Sequence, residues 1–346
     1  MKILIIFFSG IGNFILFTPT LRAIRNKYPH AEITLLVKQK VVLDIIQEEG
    51  LIDNVVHYPQ TNSPIKNILV QTSLMLTLRA KNYDLVITNF DAQGWKLSLL
   101  VMMTDGKINI GYKTGRWYDK CYDTLLTYDK RVHEVDRHLK IADSLGADIT
   151  DNVPIISVKD EDREFAKTII SRDGSPLIGM HPGSSEYLWR KRWMSERFAA
   201  LADRLSERYG AKILILGGKD EVKLSEKISI LMHTAKPLIL AGKTTIGQVA
   251  ALIEQCTLFI SNDSGLMHVA AAVRTPVVAI FGPTDPVKNS PCGVGHTIVR
   301  SGIPCSPCLT YDKDGCKSPE CLEAVTVEGV VGVVENKLMS LGFVNK

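Results

Sequence analysis

The chain has 346 residues, of which 45% are hydrophobic and 23% charged, and its formal net charge is +4. That length suits two globular domains with a sizeable core. The charge is too mild for a dedicated nucleic-acid binder, which would carry a strongly basic domain, so no nucleic-acid partner is expected; an anionic small molecule or membrane surface is compatible with it.

The first predicted element is a strand, Lys2–Phe8, followed by the loop Ser9-Gly10-Ile11-Gly12-Asn13 and a helix marked by Phe14, Phe17, Leu21 and Ile24. Pro19 is expected to kink or delay that helix. The 19 residues Ile3–Leu21 carry no charge, but the glycine-rich interruption and Pro19 favour strand, turn and helix over a membrane span. The apolar start comes too early for a signal peptide and no cleavage-like site follows, so a cytoplasmic protein is the expectation. Strands follow at Ile33–Val37, Tyr83–Thr88 and Ile108–Gly111, with the polar run Asp91-Ala92-Gln93-Gly94 directly after the second of these. Asp136–Leu145 reads as a helix ended by Gly146, and Asp160–Ile170 as a charged helix. The stretch Ser171-Arg172-Asp173-Gly174-Ser175-Pro176 has linker composition, and after it the alternation restarts.

In this second half Leu177–Met180 is a strand and Phe198, Leu201, Ala202 and Leu205 mark a helix face closed by Gly210. Lys212–Leu216 is a strand, and Thr245 with Gln248 forms a capping-box signature. Leu258–Ser261, Leu266–Val273 and Pro276–Phe281 read as strand, helix and strand. Val327, Val330, Val331, Val334 and Leu338 give an amphipathic last helix. Strands alternating with helices predict α/β architecture with two doubly wound parallel sheets and ligands at the carboxyl ends of strands. The expected domains are 1–172 and 173–325, with a C-terminal helix in 326–346.

Three loops of the second half carry chemistry. Asn262-Asp263-Ser264-Gly265 joins a strand to a helix N-terminus, where backbone N–H groups and the helix dipole attract anions. His268 lies one turn on, with its side chain leaning back toward the loop. His181-Pro182-Gly183-Ser184-Ser185 leads into Arg190-Lys191-Arg192 between Trp189 and Trp193, which supplies the fixed charge and the donors that a diphosphate needs. Gly217-Gly218-Lys219-Asp220-Glu221 places Asp220 or Glu221 where a carboxylate can accept from ribose hydroxyls. The first loop, with Gly10, Gly12 and Asn13, suits phosphate or sugar approach but lacks the full dinucleotide fingerprint, which argues against a nicotinamide oxidoreductase. Four of the seven cysteines cluster as Cys305-x2-Cys308-x7-Cys316-x4-Cys321, a spacing that could close a tetrahedral zinc or iron site, with paired or free thiols as the alternative.

The pieces IGNFILFTPTLRAIRNKYP, DLVITNFDAQG, HEVDRHLKIADSLG, GMHPGSSEYLWRKRWMSERFAALADRL, LILGGKDE and SNDSGLMHVAAAVRTPVVAIFGPTDP, in this order, resemble glycosyltransferase family 9, the ADP-heptose–lipopolysaccharide heptosyltransferase family. The resemblance implies a GT-B architecture of two Rossmann-like domains facing across a cleft. It also implies inverting transfer without a catalytic metal, the donor held by the C-terminal domain and the acceptor by the N-terminal one. It carries donor-binding roles onto Ser184, Lys191, Lys243 with Thr244, and Asp263-Ser264-Gly265 with His268. Lys191 would neutralise the leaving diphosphate, and Asp263 is expected to face sugar hydroxyls or cap its helix. The expected partners are an ADP-sugar, a lipid- or protein-linked glycan and, peripherally, the inner membrane face.

One position departs from the family. Its usual general base, an aspartate after the first loop's glycine, is here Asn13, an amide without useful basicity. Asp91 is the first candidate substitute, ahead of His133 and Asp136, with Gln93 beside it on the acceptor side. A nucleotide-sugar-binding protein with weak or lost turnover is the rival reading. Several family members carry a similar cysteine-rich loop, with an iron-binding version in a protein-modifying branch.

Overall fold

The computed structural model describes all residues except 46–49, 90–93, 130, 185, 235, 309–315, 317–318 and 345–346. The chain divides into two compact units, Met1–Ser157 and Val158–Lys346.

In the first unit the order is β1 (Lys2–Phe7), α1 (Ile11–Lys27), β2 (Glu32–Val37), β3 (Asn54–His57), α2 (Pro64–Ala80), β4 (Leu85–Thr88), α3 (Trp95–Thr104), β5 (Ile108–Tyr112), β6 (Thr124–Leu126) and α4 (Glu134–Ser144). Every strand pairing is parallel and the sheet order is β3-β2-β1-β4-β5-β6. Strand β1 is buried on both faces from Ile3 to Phe7, as a parallel sheet covered by helices requires. Pro19 neither delays nor ends α1, which begins at Ile11 and runs through it. The proline leaves the carbonyl of Ile15 without an amide donor, and the Thr18 hydroxyl donates to that oxygen instead at 2.7 Å.

The second unit continues with α5 (Asp160–Ile169), β7 (Leu177–His181), α6 (Ser195–Tyr209), β8 (Lys212–Ile215), α7 (Val222–Leu231), β9 (Leu238–Ile239) and α8 (Ile246–Glu254). It ends with β10 (Leu258–Asn262), α9 (Gly265–Ala272), β11 (Val277–Ile280), α10 (Pro286–Asn289), β12 (Thr297–Val299), α11 (Glu320–Glu323) and α12 (Val327–Ser340). Its sheet order, β12-β11-β10-β7-β8-β9, is the first unit's order repeated with six later strands. Both are Rossmann-like, and in each the strand order reverses beside its first strand.

Two boundaries differ from the sequence expectation. The Gly/Pro/Ser-rich stretch 171–176 lies inside the second unit, because α5 packs on α8 and Arg163 grips Glu254 with Nε–Oε2 2.9 Å. Helix α12 is part of that unit's core, burying Val330, Val331, Val334 and Leu338 beside Phe198 and Leu205 of α6. The Thr245 capping box forms as expected: its hydroxyl accepts from Gln248 N at 3.2 Å and Gln248 Oε1 accepts from Thr245 N at 3.1 Å.

Candidate functional site

In the second unit β7 and β10 are parallel neighbours, with Ser261 opposite His181, and the strand order reverses between them. This is where open α/β sheets bind ligands. The chain leaves β10 through Asn262, Asp263 and Ser264 and enters α9 at Gly265. Ser264 is the N-cap of α9, yet its hydroxyl does not cap the helix. It meets His181 Nδ1 at 2.8 Å and Ser261 Oγ at 3.0 Å. The first-turn amides of α9 therefore keep their donors clear of the usual capping side chain.

His181 is only 4% exposed and bridges two groups. Its Nε2 lies 3.0 Å from Glu221 Oε2, which also accepts from Gly218 N at 2.7 Å. Burial pushes the Glu221 carboxyl up, but the His181 hydrogen bond and charge, the Gly218 amide and Arg192 together hold it below the usual glutamate range. A methyl group on Gly183 would fall 1.6 Å from Glu221 Oε1, so only glycine admits this approach. The sequence reading noticed His181 as a loop residue and missed its role. The available signal was its register opposite Ser261 at two adjacent strand ends.

Lys191 Nζ pairs with Asp263 Oδ2 at 2.8 Å, with side-chain exposures of 13% and 6%. Asp263 thus faces a cation in this structure, not the helix amides. Arg192 donates to the Ser184 carbonyl at 2.7 Å and Ser184 donates to the Leu188 carbonyl at 3.1 Å. Asn262, buried, accepts from Trp193 N at 3.0 Å and donates to the Pro182 carbonyl at 2.7 Å. These bonds lock the cationic loop onto the end of β10, a function of Asn262 and Arg192 that sequence reading did not foresee. Lys243 is exposed, and Thr244 beside it has a buried hydroxyl with no partner among the described residues. Their loop lies against the Gly217–Glu221 loop, where Gly242 N donates to the Gly217 carbonyl at 2.9 Å. Asp220 is exposed whereas Glu221 is buried, and His268 is buried one turn into α9. Ser185 lies outside the described residues.

In the first unit the matching strand ends are those of β1 and β4, and there Asn89 Nδ2 donates to Ser9 Oγ at 3.0 Å. Gly10 is the N-cap of α1 with no side-chain cap, and Gly12 and the partly exposed Asn13 sit in its first turn. Asp91 and Gln93 lie outside the described residues. His133 caps α4, accepting from Val135 N at 3.3 Å, and Asp136 is exposed. Arg137, fully buried, pairs with Glu134 at 2.5 Å and donates to the Tyr128 hydroxyl and the Val132 carbonyl. His138 is fully buried beside Phe7 and Phe17, and desolvation, then Arg137, depresses its pKa to about 3.

Burial first, then Cys305 and Cys316, push the Cys321 thiol up to about 11. Among the described residues, no group of three or more His, Cys, Asp or Glu could hold a metal ion.

Two Rossmann-like units, with a polar, cationic cradle at one switch point, place the chain among two-domain α/β proteins. Residues 71–317 match the model of "Glycosyltransferase family 9 (heptosyltransferase)", and the chain belongs to that family. It is 30% identical over 288 residues to Lipopolysaccharide heptosyltransferase 3 of Escherichia coli (strain K12), covering 80% of this chain and 81% of the relative. It is 28% identical over 349 residues to Lipooligosaccharide heptosyltransferase 2 of Campylobacter jejuni subsp. jejuni serotype O:2, covering 98% of each. Among solved structures, E. coli ADP-heptose lps heptosyltransferase II superposes with a TM-score of 0.78 at 23% identity, covering 99% of this chain and all of that one. The protein is therefore a glycosyltransferase.

Proposed function

We propose that this chain moves a heptose from ADP-heptose to a hydroxyl of a lipopolysaccharide-core glycan, with the second unit holding the donor and the first the acceptor. The carrying observation is the α9 N-terminus, whose amides are spared by the Ser264 hydroxyl and which lies beside the Lys191–Asp263 pair. A diphosphate there receives backbone donors, the helix dipole and one lysine. Heptose and ADP are taken from the relatives, Lipopolysaccharide heptosyltransferase 3 and ADP-heptose lps heptosyltransferase II.

The proposed reaction is inverting. The acceptor oxygen attacks the anomeric carbon, the bond from that carbon to the β-phosphate oxygen breaks, and ADP departs. Lys191 and the α9 amides stabilise the charge developing on the diphosphate, and two bound substrates need no further organisation than alignment. In the resting enzyme Asp263 neutralises Lys191, so a bound diphosphate must share that cation. The proton of the acceptor hydroxyl requires a base. Asn13 orients the hydroxyl but cannot take the proton, and Asp91 is the proposed acceptor of it.

Asn13 also favours a second reading, a nucleotide-sugar binder without transfer. A discharge experiment separates the two: ADP-heptose and a heptose-deficient core acceptor are mixed with enzyme and product is scored by mass and anomeric configuration. Transfer with inverted configuration is expected. Lys191→Ala should lower the rate ~10²–10³-fold and weaken ADP in calorimetry. Asp91→Asn should lower the rate ~10²-fold or more and leave ADP affinity alone. Tight ADP binding with no transfer to any core acceptor would establish the binder instead.

A further inference from the structure

Helix α2 presents large apolar side chains outward. Ile65, Ile68, Leu69 and Leu76 are 60–73% exposed. Their positions i, i+3, i+4 and i+11 fall on one helix face. The opposite face is accounted for, because Leu74, Met75 and Leu78 pack into the cluster that also holds Leu97, Leu100 and Val101 of α3. Helices α2 and α3 therefore lie side by side on the same sheet face. Helix α3 likewise turns Trp95 and Met102 outward, 55% and 57% exposed. Isolated exposed apolar residues need no explanation, but two adjacent helices with apolar outer faces do.

Charge narrows the occupant. Neither α2 nor α3 contains an Asp or Glu. Lys66 and Lys96 sit exposed on them, Lys96 Nζ 5.6 Å from the Trp95 ring centroid, and Arg79 pairs with Asp105 at the far end. The next segment adds Lys113, Arg116 and Lys120 around Trp117, which is 72% exposed, while Asp119 is occupied by the Thr114 and Gly115 amides. Two such faces pressed together would oppose like charges. An anionic bilayer instead takes the apolar side chains into its interface, the tryptophans at headgroup level and the lysines against phosphates.

We propose that the outer face of α2 and α3, with Trp117 at its edge, docks this chain onto an anionic phospholipid membrane. The proposal extends the reading of the first unit as the side that meets a lipid-linked acceptor, but the surface argument does not use the chemistry of transfer.

The full chain is floated with vesicles of phosphatidylglycerol and phosphatidylethanolamine, and with phosphatidylcholine alone, at two salt concentrations. Binding to the anionic vesicles is expected, weakening with salt. Ile68→Glu with Leu69→Glu should reduce partitioning at least tenfold. Lys66→Glu with Lys96→Glu should reduce it by about fivefold per cation lost or more. Circular dichroism and thermal melts show that the variants remain folded, and ADP calorimetry of the wild type bears on the donor reading alone. Brominated lipid should quench tryptophan emission, and less so in Trp95→Phe. Wild-type protein that leaves anionic vesicles untouched, or variants that bind them equally, would overturn the proposal. So would a wild-type dimer that the same glutamates dissociate without any vesicle binding, since the face would then belong to a second copy.

Discussion

The two units share a strand order and use it differently. At the second unit's switch point nearly every polar group is committed: His181 joins Ser264 to Glu221, Lys191 meets Asp263, and Asn262 ties the cationic loop down. Among the described residues, the same place in the first unit shows the link from Asn89 to Ser9, and a polar network gathers at the start of α4 around Arg137 and Glu134. A rigid, pre-arranged site suits a ligand whose charge is always the same, such as a diphosphate. The first unit differs visibly in its surface, where α2 and α3 turn apolar side chains outward. Topology alone does not distribute these roles; the side chains at the strand ends do.

The largest expected effect tests that contrast with a pair of glycines. A Cβ on Gly183 would overlap the Glu221 carboxylate at 1.6 Å, whereas one on Gly10 would have nothing within 4 Å. Gly183→Ala should therefore push Glu221 off His181, destabilise the second unit by about 2–3 kcal/mol and weaken ADP at least tenfold. Gly10→Ala should stay within about 0.5 kcal/mol in denaturant melts. Equal behaviour of the two variants would show that the second unit's network is not organised as described.

Acid should then separate the units. Burial depresses His138 to about 3 in the folded state, against an ordinary 6.5. The unfolded chain binds this proton first, so the contribution is complete above pH 6.5 and is lost as pH falls toward 3. Between pH 7 and pH 5 it should remove about 2 kcal/mol from the first unit. Glu221 in the second unit is shifted below its ordinary 4.5, so its contribution survives above that value and fades only in stronger acid. His138→Gln should flatten the slope of stability against pH in the first unit's melt; an unchanged slope would assign the acid sensitivity elsewhere.

Much of this was readable in the chain. The run Leu258–Phe281 announces strand, polar turn, alanine-rich helix and strand because apolar runs of strand length flank a turn that glycine and asparagine favour. The anion-binding character of its loop follows from the helix start alone. What escaped was long-range. Glu221 sits in a glycine-rich turn and reads, with Asp220, as a carboxylate for ribose hydroxyls; only the folded chain brings His181 against it. Helix α2 gives no clear period because its apolar residues point both into the core and out to solvent, so the amphipathic signature cancels. The stretch 171–176 has linker composition, yet the domain boundary follows packing: α5 is held by α8 and by Glu254, and composition does not report which neighbour a helix prefers.

The smallest effect concerns the element both sequence and structure agree on. Thr245 caps α8 and Gln248 returns the bond, the only reciprocal cap of a long helix among the described residues that uses two side chains. Thr245→Ala leaves the Gln248 amide without its acceptor and should lower the second unit's stability by about 1 kcal/mol. Helix α8 carries α5 on its outer side, so the loss should also loosen the attachment of α5 to this unit, read as faster amide exchange in Asp160–Ile169. The first unit's exchange should be unchanged. If α5 exchanged as slowly as before while α8 frayed, α5 would owe its place to the Arg163–Glu254 pair more than to the packing between the helices.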